Sequence, residues 1–282
     1  MEHIEPSYEL PYISTWGYFL DFEGGKIITN DPREDRKKFD QYPIYLKHTL
    51  YIMDEPLMKL RKMEINSRFF AQDELKEEGN WHYRKKNYYK ALYYYEYALS
   101  ALKWLEYHPT EQEKDMFPEL EPKYKQYLAM FNDKNVKLFD GEDMENQGDH
   151  DMRNSMLMTI YLNMSAAYIQ SNHYTLALQV LDEAEKASGK AGSQIHYRRS
   201  QAITSNLASS LSDLRQAKDY IEQAIKIKPY EKLFNSQKGI QKILNIENAQ
   251  EAYVKQAHFC VRRIEEREKW EKELLKRKGN FS

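Results

Sequence analysis

The sequence predicts an all-α fold made of three helix–turn–helix repeats, a C-terminal capping helix and a short non-helical N-terminal arm. The main observation is one spacing that occurs three times: a small residue where two helices would cross, then an alanine, a large apolar residue and another alanine. Small residues let paired helices approach closely, and large ones fill the space between pairs. The positions are Leu75, Gly79, Tyr88, Ala91, Tyr95 and Ala98, then Ser165, Tyr168, Tyr174, Ala177, Leu181 and Ala184, then Ser200, Ala217, Ile221, Ala224 and Pro229.

This spacing resembles the tetratricopeptide repeat, a helix–turn–helix unit of about 34 residues. Such repeats stack into a superhelix whose concave groove binds extended peptides. The resemblance is strong over residues 73–100 and 158–229 and weak elsewhere. We therefore expect five segments, with boundaries at 1–52 (N-terminal arm), 53–106 (entry helix and repeat 1), 107–157 (insertion), 158–229 (repeats 2 and 3) and 230–282 (capping helices).

The N-terminal arm does not have a helical pattern. Trp16–Phe22 and Lys26–Thr29 flank Glu23-Gly24-Gly25, a sequence that suits a hairpin turn. Asp54-Glu55-Pro56 then suits the first turn of an entry helix over about Leu57–Asn66.

The insertion Tyr107–Leu157 separates repeats 1 and 2. We expect a helical first half, ending in LEPKYKQYLAMF, and a loop over the acidic FDGEDMENQGDHD. Its glycine and glutamate are wrongly spaced from the aspartates for a calcium loop, so we predict no metal site there.

The last part of the chain predicts an altered repeat followed by a cap. Repeat 3 carries about five extra residues around Asn206–Leu211, which indicates a longer first helix or a looser turn. We expect one helix over Lys232–Leu244 and a charged helix over about Ala249–Lys278, since terminal repeats need a polar outer face. The predicted buried stripe of the charged helix is Val254, Phe259, Val261, Ile264 and Trp270.

Composition restricts the setting of the protein. The net charge of −2 gives no argument for nucleic acid or for an anionic membrane as a partner. Cys260 is the single cysteine, so no internal disulfide forms, which fits a reducing compartment. No apolar run approaches the roughly 20 residues that span a bilayer, and the acidic N-terminus is unlike a signal peptide. We therefore expect a cytoplasmic protein, in the cytosol or associated with the cytoskeleton.

Motifs of catalysis are missing from the sequence. It has no His-Glu-x-x-His zinc helix, no phosphate-binding glycine loop and no Gly-x-Ser-x-Gly elbow. We interpret His82, His173 and His196 as packing or surface residues, and Cys260 as a packing residue of the capping helix. The prediction is a protein without enzymatic activity, cofactor or bound metal.

Beyond the repeats, the chain resembles the large immunophilins, in particular the branch of the aryl-hydrocarbon-receptor-interacting protein. That branch also has a long insertion after repeat 1 and a charged last helix, here ending LLKRKGNFS. Its isomerase-type domain would need about a hundred residues before the repeats, where we find only about 70 and no isomerase motif.

The resemblance implies a carboxylate clamp for acidic chaperone tails that end in Glu-Glu-Val-Asp. In the family, Lys and Asn four apart on the first A helix, Asn on the second, and Lys and Arg on the third bind the tail. The matching residues here are Lys76, Asn80, Asn163, Gln194 and Arg198, and Gln194 replaces the family's lysine. A neutral donor contributes about 0.5–1.5 kcal/mol where a charged one contributes about 1.5–3, so we expect weaker binding.

Two functions follow from the sequence. The first is an adaptor that binds a partner's C-terminal tail or helix in its groove, with a heat-shock chaperone tail as the candidate ligand. The second is an architectural subunit of a large cytoskeletal or organellar assembly. The aromatic arm and the tyrosine-rich Tyr88–Tyr97 helix suit permanent burial against neighbouring subunits.

Overall fold

A computed structural model describes residues 55–107, 136–139, 144, 146–227 and 237–279. This part of the chain is almost entirely helical, which confirms the all-α class. The described helices are α1 Glu55–Arg61, α2 Ile65–Arg84, α3 Tyr88–Ser100, α4 Gln147–Gln170, α5 Tyr174–Ser188, α6 Ser193–Ser205, α7 Leu211–Lys226 and α8 Gln237–Gly279. None of them combines the length and the hydropathy needed to cross a membrane.

Two compact units divide the described residues. The first takes the residues up to His82 and from Tyr93 to Arg153, and the second takes Tyr83–Leu92 and the residues from Asn154 onward. In the second unit α5 packs on α6, α6 on α7, and α8 on both α6 and α7. The predicted N-terminal hairpin and the helical first half of the insertion lie outside the described residues.

The small residues of the repeat pattern are buried as the sequence predicts. The exposed fraction is 0% for Ala91, Ala98, Ala177, Ala184 and Ala217. In the second unit, the core joins Ile203, Ala217, Ile221 and Ala224 to Tyr253 and Cys260 of α8. Alanine at these positions lets neighbouring helices approach closely, and the isoleucines fill the remaining volume.

The part of α3 that belongs to the first unit, residues 93–100, is almost entirely buried. Tyr94, Tyr95 and Tyr97 are all less than a tenth exposed, whereas Tyr93 is partly buried. The C-terminal carbonyl groups of a buried helix need donors other than water. Arginine supplies them here: Arg61 Nε donates to Ser100 O and Arg153 Nε donates to Leu102 O, each at 2.9 Å.

A short antiparallel ribbon follows α3, and the sequence did not predict it. Strand β1, Trp104–Tyr107, pairs with β2, Val136–Phe139, and Trp104 lies opposite Phe139. Their rings stack at 3.8 Å between centroids. The guanidinium of Arg61 lies 5.1 Å from the Trp104 ring, a cation–π contact that covers the stack.

Several predicted boundaries differ from the structure. Helix α1 ends at Arg61, and α2 begins at Ile65 within the range predicted for the entry helix. The region from Gln237 to Gly279 is one continuous helix rather than two.

The start of α4 corrects the prediction of an acidic loop. The helix begins at Gln147, inside the FDGEDMENQGDHD segment, and not near Met158. Asn146 Oδ1 accepts the Asp149 N–H at 3.0 Å, while Asn146 Nδ2 donates to Asp149 Oδ2 at 2.8 Å. Asn146 therefore supplies an N-cap, and the negative charge of Asp149 lies favourably in the first turn.

The predicted buried stripe of the capping helix is wrong. Val254, Phe259, Val261 and Trp270 are 39–49% exposed, and Ile264 is only partly buried. Among the α8 side chains that the structure describes, the buried ones are Tyr253 and Cys260, with Ala257 packed beside them. Val254, Phe259, Val261 and Trp270 do not share one face of α8, and the helix buries the face that carries Tyr253, Ala257 and Cys260.

Candidate functional site

The five residues assigned to a carboxylate clamp are divided between the two units. Lys76 and Asn80 belong to the first unit, and Asn163, Gln194 and Arg198 belong to the second. Within each unit, the i and i+4 pairs Lys76–Asn80 and Gln194–Arg198 each share one helix face. Their convergence on one ligand stays a prediction.

Lys76 and Asn80 already have partners in the first unit. The Lys76 ammonium forms an ion pair with Asp73 and lies 3.8 Å from Glu77 Oε1. Asn80 accepts a hydrogen bond from Tyr95 Oη at 2.9 Å and donates to Glu77 Oε1 at 3.0 Å. The carboxylates of Asp73 and Glu77 would therefore compete with a bound carboxylate for these donors.

Asn163 and Gln194 are placed differently from one another in the second unit. Asn163 is partly buried in the middle of α4. Gln194 is exposed in the first turn of α6, one turn before Arg198. An exposed amide at this position adds a neutral donor to the helix face that bears Arg198.

Arg198 is a partly buried cation of the second unit that an amide and an aromatic ring hold in position. Its Nη1 donates to Gln201 Oε1 at 2.8 Å, and its guanidinium lies 5.6 Å from the Tyr197 ring centroid. Gln201 Nε2 in turn donates to Tyr197 Oη at 2.8 Å. Arg198 has no carboxylate partner among the described residues, so its charge is held in position but not neutralised.

Tyr197 contacts Arg198, the charge of Arg198 acts on Tyr83, and Tyr253 packs on Tyr197. We call Tyr83, Tyr197, Arg198, Gln201 and Tyr253 the Arg198 cluster. The Tyr197 and Tyr253 rings lie 4.8 Å apart, which joins α6 to α8. Burial raises the pKa of Tyr83 and of Tyr197, and the Arg198 guanidinium opposes that rise in both. Both phenols therefore stay neutral hydrogen-bonding groups at physiological pH.

Arg199, the next residue, shows the opposite arrangement. Its Nη2 lies 2.6 Å from Asp182 Oδ1 and its Nη1 lies 2.7 Å from Glu185 Oε2, and only 10% of its side chain is exposed. These two carboxylates join α6 to α5. Arg199 is thus a structural cation, whereas Arg198 beside it keeps its positive charge available.

The histidines pack as the sequence predicts. The buried His82 ring stacks on Tyr94 at 5.2 Å, and the buried His196 ring stacks on Tyr220 at 5.7 Å. His173 is exposed, with Nδ1 3.1 Å from Ser171 Oγ. Across the described ranges, no group of three or more His, Cys, Asp or Glu residues is arranged to hold a metal ion.

Cys260 is buried and packs as predicted, but it also has polar partners. Its Sγ lies 3.2 Å from Ser200 Oγ. Burial raises the pKa of the Cys260 thiol, so the thiolate is disfavoured.

Four members of the Arg198 cluster were not found from the sequence: Tyr83, Tyr197, Gln201 and Tyr253. Gln201 lies three residues after Arg198 and four after Tyr197, a helical spacing that could have been recognised. Tyr83 and Tyr253 come from distant helices, and only the fold brings them to this place.

The chain was compared with protein-family models, with curated proteins and with solved structures, and no significant match was found in any of the three.

Proposed function

We propose that this chain is a non-enzymatic adaptor of the tetratricopeptide type, which binds a partner's C-terminal tail or helix in the cytoplasm. The acidic tails of heat-shock chaperones, ending in Glu-Glu-Val-Asp, are the first candidate ligands. The proposal rests on the repeat spacing, on the burial of its small residues and on the chemistry of the Arg198 cluster.

The observation that carries the proposal is the contrast between Arg198 and Arg199. Both belong to α6, yet Arg199 is neutralised by Asp182 and Glu185 while Arg198 is held by an amide and a tyrosine ring. A fixed guanidinium without a carboxylate partner can form charge-assisted hydrogen bonds with a ligand carboxylate at little entropic cost. Gln194 on the same face would add a neutral hydrogen bond.

Calorimetric titration with a peptide ending in Glu-Glu-Val-Asp tests the proposal. We expect modest binding that weakens as salt rises, because exposed charge pairs are screened. Arg198→Ala should cost about 1.5–3 kcal/mol of binding through the loss of a charge-assisted bond. Gln194→Lys should tighten binding, since it adds a cation on the same helix face.

Two controls make the titration specific. The same peptide with an amidated C-terminus should bind less tightly, because it loses the terminal carboxylate. Lys218→Ala removes an exposed positive charge from α7, where the ammonium only pairs with Glu222 at 3.5 Å, and should leave binding unchanged. The proposal is contradicted if the peptide binds neither the native chain nor the Gln194→Lys variant.

Lys76 and Asn80 enter the proposal through the family resemblance alone. Because Asp73 and Glu77 already engage Lys76, Lys76→Ala should weaken binding less than Arg198→Ala. An equal or larger loss would show that Lys76 exchanges its carboxylate partners for the ligand.

The architectural alternative is favoured by a different observation. Phe70 is 75% exposed, Tyr89 is 65% exposed and Leu275 is 68% exposed, although each lies within a regular helix. Large apolar side chains on a folded helix can be covered by a neighbouring subunit. An architectural subunit would associate or aggregate without its neighbours, whereas an adaptor would be monomeric.

A further inference from the structure

The second unit has another candidate ligand site, which is separate from the Arg198 cluster. It is a shallow pocket of about 160 Å³ lined by Leu207, Arg263, Glu266, Arg267 and Trp270. We call it the cap pocket, because four of its residues come from the capping helix α8. The fifth, Leu207, comes from the turn between α6 and α7.

The two arginines of the cap pocket have unused donors. The Nε atoms of Arg263 and Arg267 are buried, and neither donates a hydrogen bond within the described part of the chain. Arg263 Nη1 lies 3.9 Å from Glu266, and Arg267 Nε lies 3.4 Å from Glu271 without a hydrogen bond. These Nε–H groups are covered by protein atoms, so a ligand anion would meet the outer Nη groups of the same two guanidinium groups.

Apolar side chains stand beside these donors. Trp270 is 49% exposed, and the Arg267 guanidinium lies 4.6 Å from its ring, which fixes the cation over the aromatic face. Leu207 is 79% exposed. The pocket therefore combines two guanidinium groups and one carboxylate, that of Glu266, with a hydrophobic rim.

The turn that carries Leu207 is well ordered by hydrogen bonds. Asn206 Oδ1 accepts the Ala208 N–H at 3.0 Å, and Ser209 Oγ donates to Ile203 O at 2.7 Å. These residues belong to the extra segment that the sequence placed in repeat 3. The turn therefore holds the Leu207 side chain at a defined place on the rim of the pocket.

We propose that the cap pocket binds a short segment of a partner protein in which an aspartate or glutamate lies next to an apolar side chain. The carboxylate would accept hydrogen bonds from Arg263 and Arg267, and the apolar side chain would pack between Trp270 and Leu207. Charge complementarity selects the acid, and the exposed indole and leucine select its neighbour. This site is independent of the proposed tail-binding function, because it needs no free C-terminus.

Selection of peptides from a library tests the proposal. Short random peptides, fused through their C-terminal ends to a phage coat protein, are selected on the full chain. We expect the selected peptides to contain Asp or Glu near Leu, Phe or Trp. As synthetic peptides with amidated C-termini, they should lose binding about tenfold or more in the double variant Arg263→Gln, Arg267→Gln, measured by fluorescence anisotropy.

Matched variants separate the site from a general charge effect. Arg262→Gln with Lys269→Gln removes two exposed cations from the same helix outside the pocket, and should leave binding unchanged. Leu207→Ser should also weaken binding, while Arg198→Ala should not. Circular dichroism of every variant verifies that the helical content is retained.

Several results would overturn the proposal. The first is the selection of peptides without acidic residues. The second is an affinity that the double variant Arg263→Gln, Arg267→Gln does not lower. The third is an acidic peptide that binds this double variant as tightly as the control Arg262→Gln, Lys269→Gln. Binding of phosphatidylserine vesicles or inorganic phosphate in place of the peptides, with the same dependence on Arg263 and Arg267, would also overturn it. In that case the pocket takes an anion from another source.

Discussion

At the residue scale, the close approach of Gly79 to Tyr95 depends on the absence of a Cβ atom at position 79. A Cβ added at Gly79 would lie 2.5 Å from Tyr95 Cε1. The Tyr95 ring is 1% exposed, and its hydroxyl is bonded to Asn80, so the ring has little freedom to move away. The small residue of the repeat pattern is thus required by a specific neighbouring ring.

We predict that Gly79→Ala destabilises the protein. In an uncrowded helix, alanine would be favoured over glycine by about 0.5–1 kcal/mol. Overpacking costs about 1–3 kcal/mol, which exceeds that gain over most of its range, so we expect a net loss of up to about 2.5 kcal/mol in urea unfolding. Gly192→Ala, where an added Cβ meets nothing within 4 Å, is the control and should cost less. A stabilised Gly79→Ala variant would contradict the packing described here.

His196 gives a second prediction at this scale, for the pH dependence of stability. Burial lowers the pKa of His196, and the positive charge of Arg199 lowers it further. Because the folded pKa lies below the unfolded value of about 6.5, the unfolded chain binds the proton first as pH falls. Neutral His196 therefore contributes fully to the free energy of unfolding above about pH 6.5, and the contribution is lost as the pH falls through the folded-state pKa.

Urea unfolding at a series of pH values measures this effect. His196→Gln, which cannot take up a proton in this range, should reduce the decline between neutral pH and pH values below about 6. An unchanged pH profile in the variant would mean that His196 is protonated equally in both states. His173→Gln, at an exposed site, is the control.

At the element scale, the N-terminus of α7 is fixed by a capping box. Ser210 Oγ accepts the Asp213 N–H at 3.2 Å, and Asp213 Oδ2 accepts the Ser210 N–H at 2.8 Å. These bonds to Ser210 lower the pKa of Asp213. The cap also ends the turn that bears Leu207, so it links the start of a helix to the rim of the cap pocket.

We predict that Ser210→Ala lowers the free energy of unfolding by about 0.5–2 kcal/mol, the usual cost of losing an N-cap side chain. Chemical denaturation measures it. Ser212→Ala keeps the Ser210–Asp213 pair and should cost less. A Ser210→Ala variant as stable as the native protein would show that the cap is dispensable for α7.

The elements differ in how well the sequence predicts them. Ala177, Ala184, Ala217 and Ala224 have a regular helical spacing, and the pairs α5–α6 and α6–α7 pack on one another as that spacing implies. The β1–β2 ribbon was missed because its pairing joins residues about thirty positions apart, which a local pattern cannot show. The early start of α4 was missed because the acidic residues of this segment suggested a loop, although Asn146 and Asp149 form a capping pair.

The capping helix shows a further limit of sequence patterns. Val254, Phe259, Val261 and Trp270 were chosen for their hydrophobicity, yet α8 buries Tyr253 and Cys260. The buried face of α8 is determined by the residues that it contacts on α6: Tyr253 packs on Tyr197, and Cys260 lies against Ser200. These partners come from another helix. For the same reason the sequence identified Arg198 but not Tyr83 and Tyr253, the members of the Arg198 cluster that other helices supply.

At the scale of the whole molecule, the adaptor and subunit proposals predict different masses in solution. The net charge of −2 is small for 282 residues, so charge repulsion gives little protection against association. Exposed apolar side chains, such as Phe70 in the first unit and Leu275 in the second, would each favour association if they belonged to a large apolar patch. The adaptor proposal requires that they do not.

We predict that the purified chain is a monomer of 33.8 kDa by size-exclusion chromatography with light scattering. The expected mass should stay constant over a dilution series, because an adaptor meets its partner through its ligand sites and not through copies of itself. A Phe70→Ser variant is a useful comparison, since it removes one of the most exposed aromatic rings. If the native chain forms larger species and Phe70→Ser or Leu275→Ser reduces their mass, the apolar surface is a subunit interface and the architectural function becomes the better explanation.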